Sequence, residues 1–242
     1  MCWRTLLSST SKVLEQLRSA LDIVYPLSCG GCGSTGSILC KKCKDSFRTV
    51  EEASSCPFCG TWLSVESVCG ECTRNRPPFA RGHFGFYFEG PLREAIHSFK
   101  FKARKDVGRA LVRLLRPKLL LIQEAFDAIV PLPVTAKRLK ERGFNQTFTI
   151  AEEISSITGK ELVYRVLYKT KETKDQYTLS RLERKKNIRG VFALRDGKAL
   201  KGKRVLLVDD LFTTGATAKE ATKVLKAAGA RSVVLFALAR TP

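Results

Sequence analysis

Acidic residues are scarce in this chain of 242 residues: 23 Asp and Glu stand against 43 Lys and Arg, a formal net charge of +20. Such an excess favours phosphate-rich partners, whether nucleic acid, nucleotides, pyrophosphate or an anionic membrane face. No apolar run approaches the roughly 18 residues that cross a bilayer, and a secretory signal's apolar stretch and small-residue cleavage site are missing. The expected location is therefore the cytoplasm. Histidine is limited to His83 and His97, and no Ser-His-Asp or Cys-His arrangement stands out. His97, one helical turn from Arg93 and near Phe101, reads as structural. No repeat of solenoid length exists outside the cysteine pairs. A hydrophobic share of 44% with 27% charged residues excludes disordered, collagen-like and fibrous classes. At roughly 150 residues per domain, the length fits one large domain with a small companion.

What is present in excess is cysteine. Eight of the nine fall into four Cys-x-x-Cys pairs, Cys29/Cys32, Cys40/Cys43, Cys56/Cys59 and Cys69/Cys72, leaving only Cys2 unpaired. A reducing cytosol does not maintain structural disulfides, and a redox Cys-x-x-Cys normally occurs once. Two such turns suit one tetrahedral zinc, because two intervening residues let the chain reverse while amides point at sulfur. Two zinc sites would lower the net charge from +20 to about +16. Gaps of 7, 12 and 9 residues favour sequential grouping, Cys29 to Cys43 on one ion and Cys56 to Cys72 on the other. Without regularly spaced stacking aromatics, the ribbon reads as a structural unit rather than a nucleic-acid reader.

Three regions follow. Residues 1–25 hold a short amphipathic helix with Val13, Leu14, Leu17, Leu21 and Val24 at helical spacing. Residues 26–76 hold all the paired cysteines and few apolar runs, so metal has to replace a core there. From 77 to 242 strand and helix patterns alternate. Phe84, Phe86 and Phe88 predict a strand with one buried face, and Pro91 opens a helix. Ala128-Ile-Val130 predicts a short buried strand running into Pro131-Leu-Pro133. Residues 145–158 predict a helix stopped by Gly159, and 162–167 a strand. Residues 169–190 read as a long basic connection. Val205 to Val208, residues 217–228 and Val233 to Leu238 predict strand, helix and strand with no polar face on either strand. That is the pattern of a parallel sheet covered on both sides, an α/β fold.

The segment Val205-Leu-Leu-Val-Asp-Asp-Leu-Phe-Thr-Thr-Gly-Ala-Thr217 carries the most chemistry. A buried strand delivers Asp209 and Asp210, and then a turn of Thr213, Thr214, Gly215, Ala216 and Thr217 opens a helix. Backbone amides and hydroxyls at a positive helix end hold a phosphate monoester. No Gly-Lys-Ser/Thr follows, which excludes a P-loop, and this turn carries no Gly-x-Gly-x-x-Gly dinucleotide fingerprint. Carboxylates beside a phosphate cradle would repel it unless they face sugar hydroxyls or Mg2+. The segment therefore reads as a ribose 5-phosphate binder.

It also resembles the signature of type I phosphoribosyltransferases, which bind 5-phosphoribosyl pyrophosphate (PRPP). By that resemblance Asp209 and Asp210 meet the ribose hydroxyls and Thr213 to Thr217 wrap the 5-phosphate. Further stretches are similar to the ComF competence-protein family, also called GntX-like or DNA-utilisation proteins. They are Val130-Pro-Leu-Pro133 with Arg138-Leu-Lys-Glu-Arg-Gly-Phe-Asn-Gln146; Gln176, Leu179, Arg184, Asn187 and Gly190-Val-Phe192; Cys69-Gly-Glu-Cys72; and Gly90-Pro-Leu-Arg-Glu-Ala-Ile-His-Ser-Phe-Lys-Phe101. The resemblance implies a type I phosphoribosyltransferase fold behind a double zinc ribbon, with a role in DNA uptake or use. Transfer from PRPP passes through an oxocarbenium-like sugar with pyrophosphate leaving. Mg2+ with Lys137, Arg138 and Arg142 would neutralise that group, and Arg181 and Arg184 would close as a lid. A solvated basic surface or a DNA track is the competing reading of those cations. Three functions stay open: an active phosphoribosyl transferase with an unknown acceptor, a DNA-handling protein contacting single strands, and a PRPP sensor. For the second, residues 93–118 hold nine Lys or Arg against two acids, and 165–189 hold nine against three.

Overall fold

A computed structural model of the chain describes residues 26–171 and 190–242. The expected helix within 1–25, the lid candidates Arg181 and Arg184, and Gln176, Leu179 and Asn187 lie outside the described residues. The helices are α1 (Lys41–Ser46), α2 (Gly70–Arg74), α3 (Gly90–Phe101), α4 (Lys105–Leu114), α5 (Arg116–Ile122), α6 (Ala136–Arg142), α7 (Gln146–Thr158) and α8 (Ala216–Ala227). The strands are β1 (Arg81–Tyr87), β2 (Ala128–Pro131), β3 (Glu161–Leu162), β4 (Leu167–Lys169), β5 (Phe192–Leu194), β6 (Arg204–Phe212) and β7 (Ser232–Arg240).

Five strands form one sheet in the order β1-β7-β6-β2-β3, and every pairing in it is parallel. β4 and β5 pair antiparallel as a separate ribbon. Side chains of β6 alternate between two cores, as a strand buried on both faces requires. Leu206 and Val208 pack with Ile96 and Phe99 of α3, Leu111 of α4 and Ile150 and Ile154 of α7. Val205 and Leu207 pack with Ala218, Ala221 and Leu225 of α8. Because all five strands run the same way, the loops after β1, β2 and β6 emerge at one edge.

The cysteine-rich region covers the free edge of β1. The Val50 amide donates to the Gly85 carbonyl at 2.9 Å, Tyr87 to Arg48 at 2.9 Å and Gly82 to Pro57 at 2.8 Å. Exposed strand edges invite pairing with other chains, and this cover removes the hazard. Phe84 and Phe86 are both 2% exposed, and only the first residue of β1 escapes full burial. The one-faced strand expected from their alternation is thus a strand buried throughout, because its cover comes from residues 25 to 39 positions upstream. The strand expected over 162–167 is broken as well: β3 ends at Leu162, Arg165 takes φ 62, and β4 starts at Leu167.

A half-buried charge network joins the cover to the sheet. Glu52 accepts from His83 Nδ1 at 2.8 Å and lies 3.4 Å from Lys118 Nζ and 3.6 Å from Arg81. Lys118 also donates to the carbonyls of Val50 and Phe84 at 2.7 and 2.8 Å. Burial alone would raise the Glu52 carboxyl, but His83, Lys118 and Arg81 together hold it down to about 2. A carboxylate with a depressed folded pKa stabilises above its unfolded value and loses that contribution as pH falls through about 2. Glu52→Ala strands Lys118 and His83, so chemical denaturation at neutral pH is expected to show a loss of about 3 kcal/mol, shrinking in acid.

Candidate functional site

The sulfurs of Cys29, Cys32, Cys40 and Cys43 lie within 4.8 Å of one another, and so do those of Cys56, Cys59, Cys69 and Cys72. The pairs therefore group in sequence order. Both clusters are built alike. Gly33 (φ 78) and Gly60 (φ 66) close the first turn of each, donating to the carbonyls of Cys29 and Cys56 at 2.8 and 2.9 Å. The third cysteine caps a short helix, α1 or α2, and its amide donates to the first sulfur: Cys40 to Cys29 at 3.3 Å, Cys69 to Cys56 at 3.5 Å. Ser34 and Thr61 hydroxyls lie 3.2 Å from Cys32 and Cys59. Ser34 and the neighbouring thiols hold Cys32 down to about 6. The Cys32–Cys40 and Cys59–Cys69 separations are both 3.6 Å, close to the roughly 3.8 Å that tetrahedral zinc–sulfur bonds require. The two clusters fit two structural zinc sites.

A cleft of about 320 Å³ opens at the carboxyl ends of the strands. Asp209, Asp210, Thr213, Thr214 and Thr217 line it on one side, Arg138 and Arg142 on another. β6 runs on to Phe212, so both aspartates sit within the strand's last four residues rather than beyond it. Gly215, at φ 71, turns the chain into α8, and Ala216 is that helix's first residue. A side chain on Gly215 would meet the Phe212 ring at 2.6 Å. The first amides of a helix have no partner within it, so this turn offers donors to an anion.

On α6 the helical period sends Arg138 and Arg142 to the cleft and leaves Lys137 exposed outside its lining. The loop between β2 and α6 is tied down by α7. The Asn145 side chain caps α7 by accepting from the Thr147 amide at 3.1 Å and donates to the Leu132 carbonyl at 3.2 Å. The Thr147 hydroxyl donates to that same carbonyl. Arg142 donates to Gln146 at 3.2 Å and lies over the Phe101 ring.

Lys100 and Lys169 also line the cleft, and sequence reasoning missed both. Lys100 is 5% exposed and pairs with Asp210 at 2.9 Å. The available signal was its place in α3, one turn after Ile96 on the buried stripe with Leu92 and Phe99. Burial first, and then the charge of Asp210, push the Asp209 carboxyl up to about 7, while the Asp210 amide, Lys100 and Lys169 act against the rise. The histidines stay outside the cleft: His83 serves Glu52, and His97 packs on Phe101 with centroids 4.6 Å apart.

The double zinc ribbon domain family matches residues 20–73, and the phosphoribosyl transferase domain family matches residues 129–242. DNA utilization protein YhgH of Escherichia coli K12 is 31% identical over 222 residues, 89% of this chain and 94% of that protein. Competence protein F of Haemophilus influenzae is 30% identical over 213 residues, covering 84% and 90%. The chain belongs to the ComF family. Glutamine PRPP amidotransferase from B. subtilis aligns at 19% identity and a TM-score of 0.39, over 59% of this chain and only 30% of its own. Among the described residues of this ComF-family chain, no helix is long and apolar enough to cross a membrane.

Cys29 and Cys43 belong to the core of one sheet face, Cys56 and Cys72 to that of the other. Elemental analysis is expected to find two zinc ions per chain, with Cys43→Ser and Cys72→Ser each losing one. Strong chelation is expected to abolish cooperative unfolding, since metal binding here is folding energy. Full zinc retention in either variant would contradict this assignment.

Proposed function

We propose that this chain binds PRPP with Mg2+ in the carboxyl-end cleft and serves DNA uptake or DNA utilisation in the cytoplasm, with single-stranded DNA as a contact. The observation that carries the ligand reading is the convergence, in one cleft, of two adjacent carboxylates, a threonine-rich helix start and the cations Lys100, Arg138 and Arg142. The names of the E. coli and H. influenzae relatives support the cellular role. In this reading residues 26–76 form the zinc unit and 77–242 the phosphoribosyl unit.

The threonine-rich turn takes the 5-phosphate through amides and hydroxyls. Asp209 and Asp210 offer hard oxygen donors suited to ribose hydroxyls and to Mg2+, which when bound neutralises pyrophosphate charge. A nearby cation would also draw the Asp209 proton off, offsetting the burial that holds it on. Lys100 pairs with Asp210 and holds it in place. Arg138 and Arg142 face the pyrophosphate from α6, which follows the Pro131-Leu132-Pro133 loop. Lys137, exposed on α6 outside the cleft lining, adds its charge to that side.

Calorimetric titration of the zinc-loaded protein with PRPP and Mg2+ tests the reading. Binding is expected in the parent and is expected to weaken at least about tenfold, about 1.4 kcal/mol, in Asp209→Ala/Asp210→Ala. Lys100→Met is expected to weaken it in the same direction with the zinc content unchanged. A folded, zinc-loaded parent that binds no PRPP would overturn the proposal.

A further inference from the structure

Five of the nine cations in the basic run over 93–118 are already paired with carboxylates. Lys100 pairs with Asp210, Arg104 with Asp106, Arg109 with Glu152, Arg113 with Glu153 and Lys118 with Glu52. Cations already held by carboxylates gain little from a phosphate, because one partner is merely exchanged for another. A cleft whose cations face no carboxylate suits a strand better.

A second cleft, of about 250 Å³, lies across the β2–α6 loop from the first and shares Pro133 and Val134 with it. Its other wall carries Tyr164, Arg165, Tyr168 and Arg195, and no Asp or Glu is among the described residues lining it. Cation and ring come in two pairs. The Arg165 guanidinium is 5.4 Å from the Tyr164 ring centroid, and that of Arg195 is 5.6 Å from Tyr168. Tyr164 is 42% exposed and is braced by Phe148, whose ring centroid is 4.4 Å away.

The local backbone serves this arrangement. Arg165 holds φ 62, a conformation that L side chains adopt at a cost. It turns the chain between Val163 and Val166, which are both buried, so that Tyr164 and Arg165 stay at the surface. β5 then brings Arg195 alongside, its amide donating to the Val166 carbonyl at 3.0 Å.

Flat aromatic faces with guanidinium groups and no carboxylate suit a planar ring carrying negative charge, and they suit a metal ion poorly. We propose that the second cleft is a nucleobase site: a base stacks at Tyr164 and Tyr168 while Arg165 and Arg195 meet its phosphates. As a strand-binding site it rests on the DNA-contact reading above. A base with its phosphate is also presented by a free nucleotide, and the two sources are separable.

The test uses zinc-loaded full-length protein, a fluorescent oligothymidylate and thymidine 5′-monophosphate. Tyr168→Ala and Arg195→Ala are each expected to weaken oligonucleotide binding about tenfold or more, and Tyr168→Phe, which keeps the ring, to match the parent. Photo-crosslinking with an iododeoxyuridine-containing strand is expected to label the segment holding Tyr164 and Tyr168. Asp209→Ala/Asp210→Ala is expected to leave strand binding intact. If the parent binds the strand, all variants bind it equally and the crosslink maps elsewhere, the cleft proposal fails and the DNA reading survives. If only the monophosphate binds and Tyr168→Ala abolishes it, the nucleobase site stands and the DNA reading fails. If neither ligand binds the parent, both fall.

Discussion

Burial of β6 on both faces, between β7 and β2, is the constraint from which the rest of the molecule follows. A central parallel strand needs helices above and below it, and the crossovers that supply them bring every carboxyl end to the same edge. Asp209 and Asp210 lie where this strand leaves the two cores, so they reach the cleft at a fixed spacing and half-buried. Two carboxylates in such a place demand a counter-charge. Lys100 provides it from α3, a helix that also packs the Leu206 and Val208 face, so core and site share an element.

The edge of the sheet sets a second demand. β1 ends the main sheet, and the chain covers it with a segment too poor in apolar residues to form a core of its own. Four-sulfur clusters solve the problem at two points, one contributing to each side of the sheet. Glu52, His83 and Lys118 then fasten the cover through half-buried charge, which makes the junction depend on every partner being present.

Much of this was legible in the sequence, for physical reasons. Val205 to Val208 has no polar face, so it had to be buried on both sides. Gly159 follows an apolar period and stops α7 at φ 68. Spacing favoured the sequential cysteine grouping that the two clusters show. The aspartates and the threonine-rich turn were legible because few other environments tolerate them side by side. Less was legible where the deciding partner is distant in sequence. β1 could not announce a cover supplied by residues 48–58. Lys100 stands among nine cations of the 93–118 run and looks like solvent-facing charge until its helical phase with Ile96 is considered. Lys137 is the mirror case: its charge matches Arg138 and Arg142, but its helical phase places it outside the cleft lining. The break at Arg165 has no glycine or asparagine to signal a positive φ.

The two clefts share the Pro133–Val134 wall, and Asn145 and Thr147 pin the carbonyl of Leu132 beside it. A phosphoribosyl site and a nucleobase site on opposite sides of one short loop would suit a protein that meets a sugar phosphate and a strand together. The proposed function requires a phosphoribosyl ligand in the carboxyl-end cleft. It is tested most directly by a crystal structure of the zinc-loaded protein grown with PRPP and Mg2+. The account predicts the 5-phosphate at the amides of Thr213 to Thr217, with the ribose hydroxyls facing Asp209 and Asp210. Ordered PRPP bound elsewhere, with this cleft holding only water, would contradict it.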